Sequence, residues 1–247
     1  MKDIKKTLLN ALSDLEKHNV FRNSYFDFLK ININRDVYEL HRANFFFRTE
    51  ATVKGIAYVV SQAALYDDMD TLIFFTYILN EECGEGDKNR CHEILMETSH
   101  NKYGKYEFGL PSLFVNDAKN NELIIDETHN YRSEIINILS DSYHSMLGCV
   151  YALETHADFM LTNFRDAFRA NRKKMDVNQY KKNVEIYFNC HVDNGVEKRH
   201  ATDAKRCVIN NCNSDSDLEK ILEGAQRMLT LQTNMWDGLY KKVKTLV

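Results

Sequence analysis

Two groups of histidines and carboxylates lie far apart in this chain. One is Asn80-Glu81-Glu82-Cys83-Gly84-Glu85-Gly86 followed by His92; the other is His191, then Asp193-Asn194-Gly195, then Glu197-x-x-His200. Imidazole with carboxylate is the ligand set that suits iron, manganese or zinc, and a helical bundle can turn both groups inward onto one centre. Between them sits Glu154, in an apolar stretch with Leu147, Val150, Tyr151 and Phe159. A carboxylate buried there without a partner is costly, so it needs either a metal or an arginine such as Arg165 or Arg169.

Spacing constrains how these residues meet. At about 100° per residue, His191 and His200 fall on opposite sides of a straight helix and share a metal only if the helix breaks between them. Asn194-Gly195 supplies such a break, because both residue types tolerate left-handed backbone. Glu197 and His200 share a face unaided, whereas Asp193, the competing acid, points away from His191 on a regular helix. In the first group Glu85 and His92 share a face of an unbroken helix, and Glu82 and His92 lie roughly 80° apart. Gly84 and Gly86 make that helix doubtful, so both acids stay open. Cys83, Cys91 and Cys190 adjoin these residues and are further possible thiolate ligands.

Helical periodicity governs the elements that must position these groups. Ile4, Leu8, Leu12 and Leu15 form one stripe, and Phe21, Tyr25, Phe28 and Leu29 continue it to Ile31. Asn34 caps a helix running to Phe47. Thr52 to Leu65 is densely apolar and predicts burial on most sides. Asp70 caps the run that delivers Glu81 and Glu82. An irregular connection spans about 100–128, with Gly104, Gly109, Pro111, Asn120 and Asn121, and ordered loops of that length often serve as lids or binding loops. Helix resumes over about 131–169 and 177–208, and Ser216-x-x-Glu219 forms a capping box for the last helix. Ligands drawn from both sides of the loop argue for a single domain over 1–247.

Composition agrees with an all-α chain. Only one proline and nine glycines punctuate 247 residues, and 44% hydrophobic content with 11% aromatics can fill a core. A net charge of −4 with no basic block argues against nucleic acid. No apolar run is long enough to cross a membrane, and the N-terminal stretch is too short and acidic for a signal peptide. The six cysteines are scattered and form no C-x-x-C pair, which predicts a reduced cytoplasmic protein.

The pattern Asn80-x-Glu82-x-Gly84 with His92 ten residues beyond Glu82 resembles the haem-oxygenase-like diiron oxidases and oxygenases, over roughly residues 40–210. The resemblance implies a haem-oxygenase-like bundle of about seven or more helices, like that of the thiaminase-related proteins, holding two irons in place of haem. The family's ligand order then falls on Glu82, His92, Glu154, His191, Glu197 and His200, with Asp193 and Glu85 as alternates. One departure stands out: two extra residues in the Asp193-Asn194-Gly195 region precede the acid, which is glutamate where aspartate is commoner. Family members have a conformationally soft helix here that assembles with metal and substrate, and the Asn-Gly pair suits such behaviour.

Implied further are Fe(II), with Mn as a possible substitute, O₂, an electron donor of unknown kind, and an amino-acid, amine or fatty-acid substrate. The outcomes that the resemblance implies are N-oxygenation, C–C cleavage, nitrile formation, or modification of the enzyme's own tyrosine or lysine. Specialised metabolism and a homodimer also fit this type of fold. The substrate pocket is expected between the helices carrying Glu82, Glu154 and His191, lined by Tyr58, Phe75, Tyr143, Tyr151 and Phe188. Arg42, Arg48 or Lys54 is available there to clamp a carboxylate. Rival readings are a metal-free thiaminase-like hydrolase with Cys149 or Cys190 as nucleophile, and a non-catalytic helical binding protein.

Overall fold

Helix boundaries follow the caps. In the computed structural model, which describes residues 4–247, the chain forms thirteen α-helices and no strand among those residues. They are α1 (Ile4–Leu15), α2 (Ser24–Ile31), α3 (Arg35–Thr49), α4 (Thr52–Leu65), α5 (Met69–Glu82), α6 (His92–Phe108) and α7 (Val115–Ala118). Then come α8 (Asp126–Asp141), α9 (Tyr143–Asn171), α10 (Val177–Asn183), α11 (Glu185–Val192), α12 (Val196–Asn211) and α13 (Asp215–Val243). Asn34 caps α3 as its sequence predicts, its side chain accepting from the Val37 amide. For α5 the cap is Asp68 rather than Asp70, because a left-handed Asp67 turns the chain two residues earlier. The capping box of α13 likewise uses Ser214 and Asp217, not Ser216 and Glu219.

Two expected long helices are divided. The stretch 131–169 is split at Ser142, whose extended backbone ends α8 and whose hydroxyl accepts from the Ser145 amide to start α9. The stretch 177–208 breaks at Val184 and again at Asp193–Gly195, where Gly195 is left-handed at φ +68°. The irregular connection is shorter than expected, since α6 runs to Phe108 and Gly109 ends it in a left-handed cap. Residues 109–125 are held down by side chains of the helices beneath. Arg42 and Asn101 bond Pro111 and Leu113, Glu97 accepts from the Val115 amide, and Asn44 bonds Leu123, Ile125 and Thr128.

The buried apolar side chains join into one core, with α9 through its centre and α2, α8, α11, α12 and α13 packed around it. Helix α13 approaches α9 very closely. A Cβ at Gly148 would stand 1.9 Å from the Ile221 carbonyl oxygen, and one at Gly224 would stand 2.1 Å from that of Ser145. Glycine is needed at both places for the two backbones to touch. Helix α4 is less enclosed than its apolarity predicts. Only Ile56, Val59 and Ala63 are buried, while Tyr58 and Leu65 face out beside Tyr66, Met69, Ile73 and Tyr77. No helix among the described residues is long and apolar enough to cross a membrane.

Candidate metal centre

Five helices bring their polar residues to one place. Glu82 is the last residue of α5 and His92 the first of α6, so the two helix ends meet face to face. The chain between them leaves the helix through left-handed Gly84, Glu85 and Gly86. A Cβ on Gly84 would fall 2.6 Å from the Cys91 backbone nitrogen, so the turn requires glycine there. His92 Nδ1 lies 3.1 Å from Glu82 Oε1 but is out of line for a hydrogen bond. On α11, His191 packs its ring against that of His92, with centroids 4.4 Å apart.

The break at Asp193–Gly195 lets α12 restart at a new angle, and Glu197 then faces back toward His191. Glu197 Oε1 is 2.7 Å from His191 Nδ1, and its other oxygen is 3.7 Å from His200 Nδ1. Glu154 reaches the same nitrogen of His200 at 3.7 Å from the middle of α9. Glu197 therefore stands between the two halves, His92 with His191 on one side and Glu154 with His200 on the other. All six side chains line a single cavity of about 110 Å³.

The alternates lie elsewhere. Glu85 is exposed and pairs with Arg90 at 2.8 Å, and Asp193 turns outward to Arg165 at 3.4 Å. Arg169 pairs with Glu185, so neither Arg165 nor Arg169 serves Glu154. None of the five aromatic residues expected to line the pocket does so. Tyr58 is on the open face of α4, Phe75 packs on Phe74, and Phe188 packs on Phe168 in the core. The Tyr143 and Tyr151 hydroxyls donate to Asp68 and Glu16. For all but Tyr58, the helical spacing reflects burial alone. Of the three cations, Arg42 bonds Asn101 and Pro111, and Lys54 pairs with Glu50 on the surface; only Arg48 faces the cavity.

Three further residues stand at the site: Glu81 and Tyr187, to which the sequence assigned no role, and Cys190, which it offered as a possible thiolate ligand. Glu81 Oε2 lies 2.9 Å from His200 Nε2, behind the ring and away from Glu154. The signal was the Glu81-Glu82 pair itself: the two acids serve different histidines, Glu81 reaching His200 and Glu82 reaching His92. Tyr187, one helical turn before His191, packs on its ring at 5.0 Å and lines the cavity. Cys190 sits within 4.8 Å of ligand atoms of His92 and His191 but does not line the cavity.

Without a metal, the cluster balances its charge by holding protons. Burial and the neighbouring Glu197 carboxylate push the Glu154 carboxyl up to about 8, His200 opposing. For Glu197 the effect of burial is outweighed by the hydrogen bond from His191 and by the neighbouring His200 imidazole, which bring it down to about 2. Burial would lower both His92 and His200, yet Cys190 and Glu82 lift the first, and Glu197, Glu154 and Glu81 the second, each to about 9. His191 Nε2 is buried without a hydrogen-bond partner. Two divalent cations bound there would displace those protons, leaving the carboxylates of Glu82, Glu154 and Glu197 to face three neutral imidazoles. The donor set fits iron. His92, His191 and Glu82 would hold one ion, Glu154 and His200 the other, with Glu197 between; Glu81 would orient His200 from behind.

Comparison with known proteins gives this geometry a family. The chain superposes on a CADD-like protein of unknown function from Nostoc punctiforme PCC 73102 with a TM-score of 0.75 at 13% identity, over 96% of this chain and 98% of that one. It is also similar to a domain of unknown function with a heme oxygenase-like fold from Shewanella denitrificans OS217, TM-score 0.64 at 13% identity, over 100% and 95% of the two chains. At such identities these likenesses show the fold, which is all-α and haem-oxygenase-like. No curated protein sequence matches the chain. The model of the iron-containing redox enzymes matches residues 43–233, a span that holds all six inward ligand candidates together with Glu81. The chain belongs to the iron-containing redox enzyme family.

Proposed function

We propose that this protein is a non-haem, two-iron oxidase or oxygenase that uses O₂ on an amino-acid or amine substrate. The observation that carries the reading is the convergence of Glu82, His92, Glu154, His191, Glu197 and His200 on one buried cavity. Iron bound there would supply electrons to O₂ and so generate an oxidant. The chain's own residues do the rest. Glu197 ties the two halves of the site together, and Glu81 fixes the ring of His200. Apolar side chains from α4, α8 and α9 wall the cavity and keep bulk water from the reacting atoms.

The hydrolase alternative fits the site less well. Burial pushes the Cys149 thiol up to about 12, far from a nucleophilic thiolate. Burial also opposes ionisation of Cys190, and although the neighbouring His191 and His92 imidazoles bring it to about 7, its sulfur does not line the cavity. Iron content and O₂ uptake of His200→Ala and Glu154→Ala test the proposal, with Glu85→Ala as a surface control. Both site variants are expected to lose iron and to slow O₂ uptake by more than the roughly 10–100-fold that loss of an outer hydrogen-bond partner costs, and Glu85→Ala to match wild type. Wild-type iron and uptake in both site variants would sink it.

A further inference from the structure

Arg48 is a buried cation with no anion. It is 7% exposed, and among the described residues no carboxylate oxygen comes within 4.0 Å of its guanidinium. Arg132 pairs with Glu50 and Arg165 with Asp193, and Arg42, which has no carboxylate either, is satisfied by Asn101 and the Pro111 carbonyl. Arg48 instead packs its guanidinium over two aromatic faces, 5.3 Å from the Tyr131 ring centre and 5.7 Å from that of Trp236. Its Nε has no hydrogen-bond partner, and neither does the buried hydroxyl of the adjoining Thr49. Both residues line the cavity that holds the six metal-ligand candidates.

A buried, unpaired charge is costly, and a planar guanidinium presents parallel N–H donors that match a carboxylate. One arginine and one hydroxyl suit a single negative charge better than a phosphate. The neighbouring walls, formed by Ile56, Ile135, Leu139 and Leu161, are apolar. We propose that Arg48, helped by Thr49, is the anchor for the carboxylate of the substrate, whose apolar body lies against those walls with its reactive end at the metal cluster. This rests on the metal reading above and narrows its substrate to a carboxylate-bearing molecule, excluding plain amines. The carboxylate belongs either to an amino acid or to a simple acid. Glu93, which also lines the cavity, is available to pair with the ammonium of the former.

Titration calorimetry on the anaerobic, Fe(II)-loaded protein with hexanoate, 2-aminohexanoate and hexylamine tests the assignment. At least one of the two acids should bind wild type, and hexylamine should not. Tighter binding of 2-aminohexanoate identifies the amino acid, and tighter binding of hexanoate the simple acid. Arg48→Gln should weaken acid binding at least about 30-fold, and Arg48→Lys should recover part of it, with iron content unchanged in both. Hexylamine binding as well as the acids, neither acid binding wild type, or equal acid affinity in Arg48→Gln would overturn the proposal. The wild-type ranking stands independently of any variant's folding. Failure of the metal reading looks different: acid binding that depends on Arg48 in a protein that takes up no iron.

Discussion

Glu81 illustrates how one side chain controls another at this site. Its carboxylate takes Nε2 of His200, which leaves Nδ1 to face Glu154 and Glu197. An imidazole held from behind by a carboxylate keeps its tautomer and ring angle and is a better metal ligand. Glu81→Gln should therefore lower metal affinity at the His200 half roughly 10–100-fold while leaving the other half loaded. Competitive titration with Co(II), read by its d–d spectrum, checks this; two unchanged binding steps would count against the role. The six ligand candidates were legible in the sequence through the family resemblance, which gives their order along the chain; residue types and spacing alone left the acids open. The choice of Glu82 over Glu85 was not settled by spacing, since it depends on three left-handed residues that no periodicity describes. The aromatic pocket lining was misjudged because ring spacing reports burial and not which cavity a ring faces.

At the scale of the elements, the helix interruptions make the site. Gly195 sits at φ +68°, and the restart of α12 after it turns Glu197 and His200 toward His191 and Glu154. Placing a Cβ on that left-handed backbone costs about 1–2 kcal/mol. Gly195→Ala should accordingly reduce iron retention while lowering Tm by only a few degrees, measured by iron analysis and calorimetry on the same sample. Gly148→Ala should do the reverse. The added methyl collides with the Ile221 carbonyl where α9 and α13 touch, and overpacking of this kind costs about 1–3 kcal/mol, so Tm falls with the metal ligands untouched. Helix existence and the Asn-Gly break could be read from the sequence. The exact caps could not, because Ser142, Asp68 and Ser214 compete with equally good neighbours, and tertiary packing decides among them. The exposure of α4 was also hidden, since an apolar helix reads the same whether it is covered on one face or on several.

For the molecule as a whole, the core carries histidines that matter to its pH range. His41, His100 and His156 are fully buried among aromatic rings. Burial holds His100 and His156 down to about 3, and His41 well below its ordinary value. Such groups are neutral in the folded state and take up protons only on unfolding. Their contribution is present above the unfolded value of 6.5 and is lost as pH falls below it, at about 1.4 kcal/mol per pH unit for each group. Glu154 in the metal-free protein works the opposite way between 4.5 and about 8. Urea unfolding of metal-free protein between pH 6.5 and 5 isolates one of these terms: His156→Phe should flatten the stability slope by one proton, and an unchanged slope would mean that His156 is already protonated when folded. The central claim is that this bundle closes around two iron ions. An anomalous difference map at the iron edge from crystals grown anaerobically with Fe(II) tests it most directly. Two peaks flanking Glu197 are predicted, one by His92 and His191 and one by Glu154 and His200; a map with no peak there, or a single peak outside these residues, would contradict it.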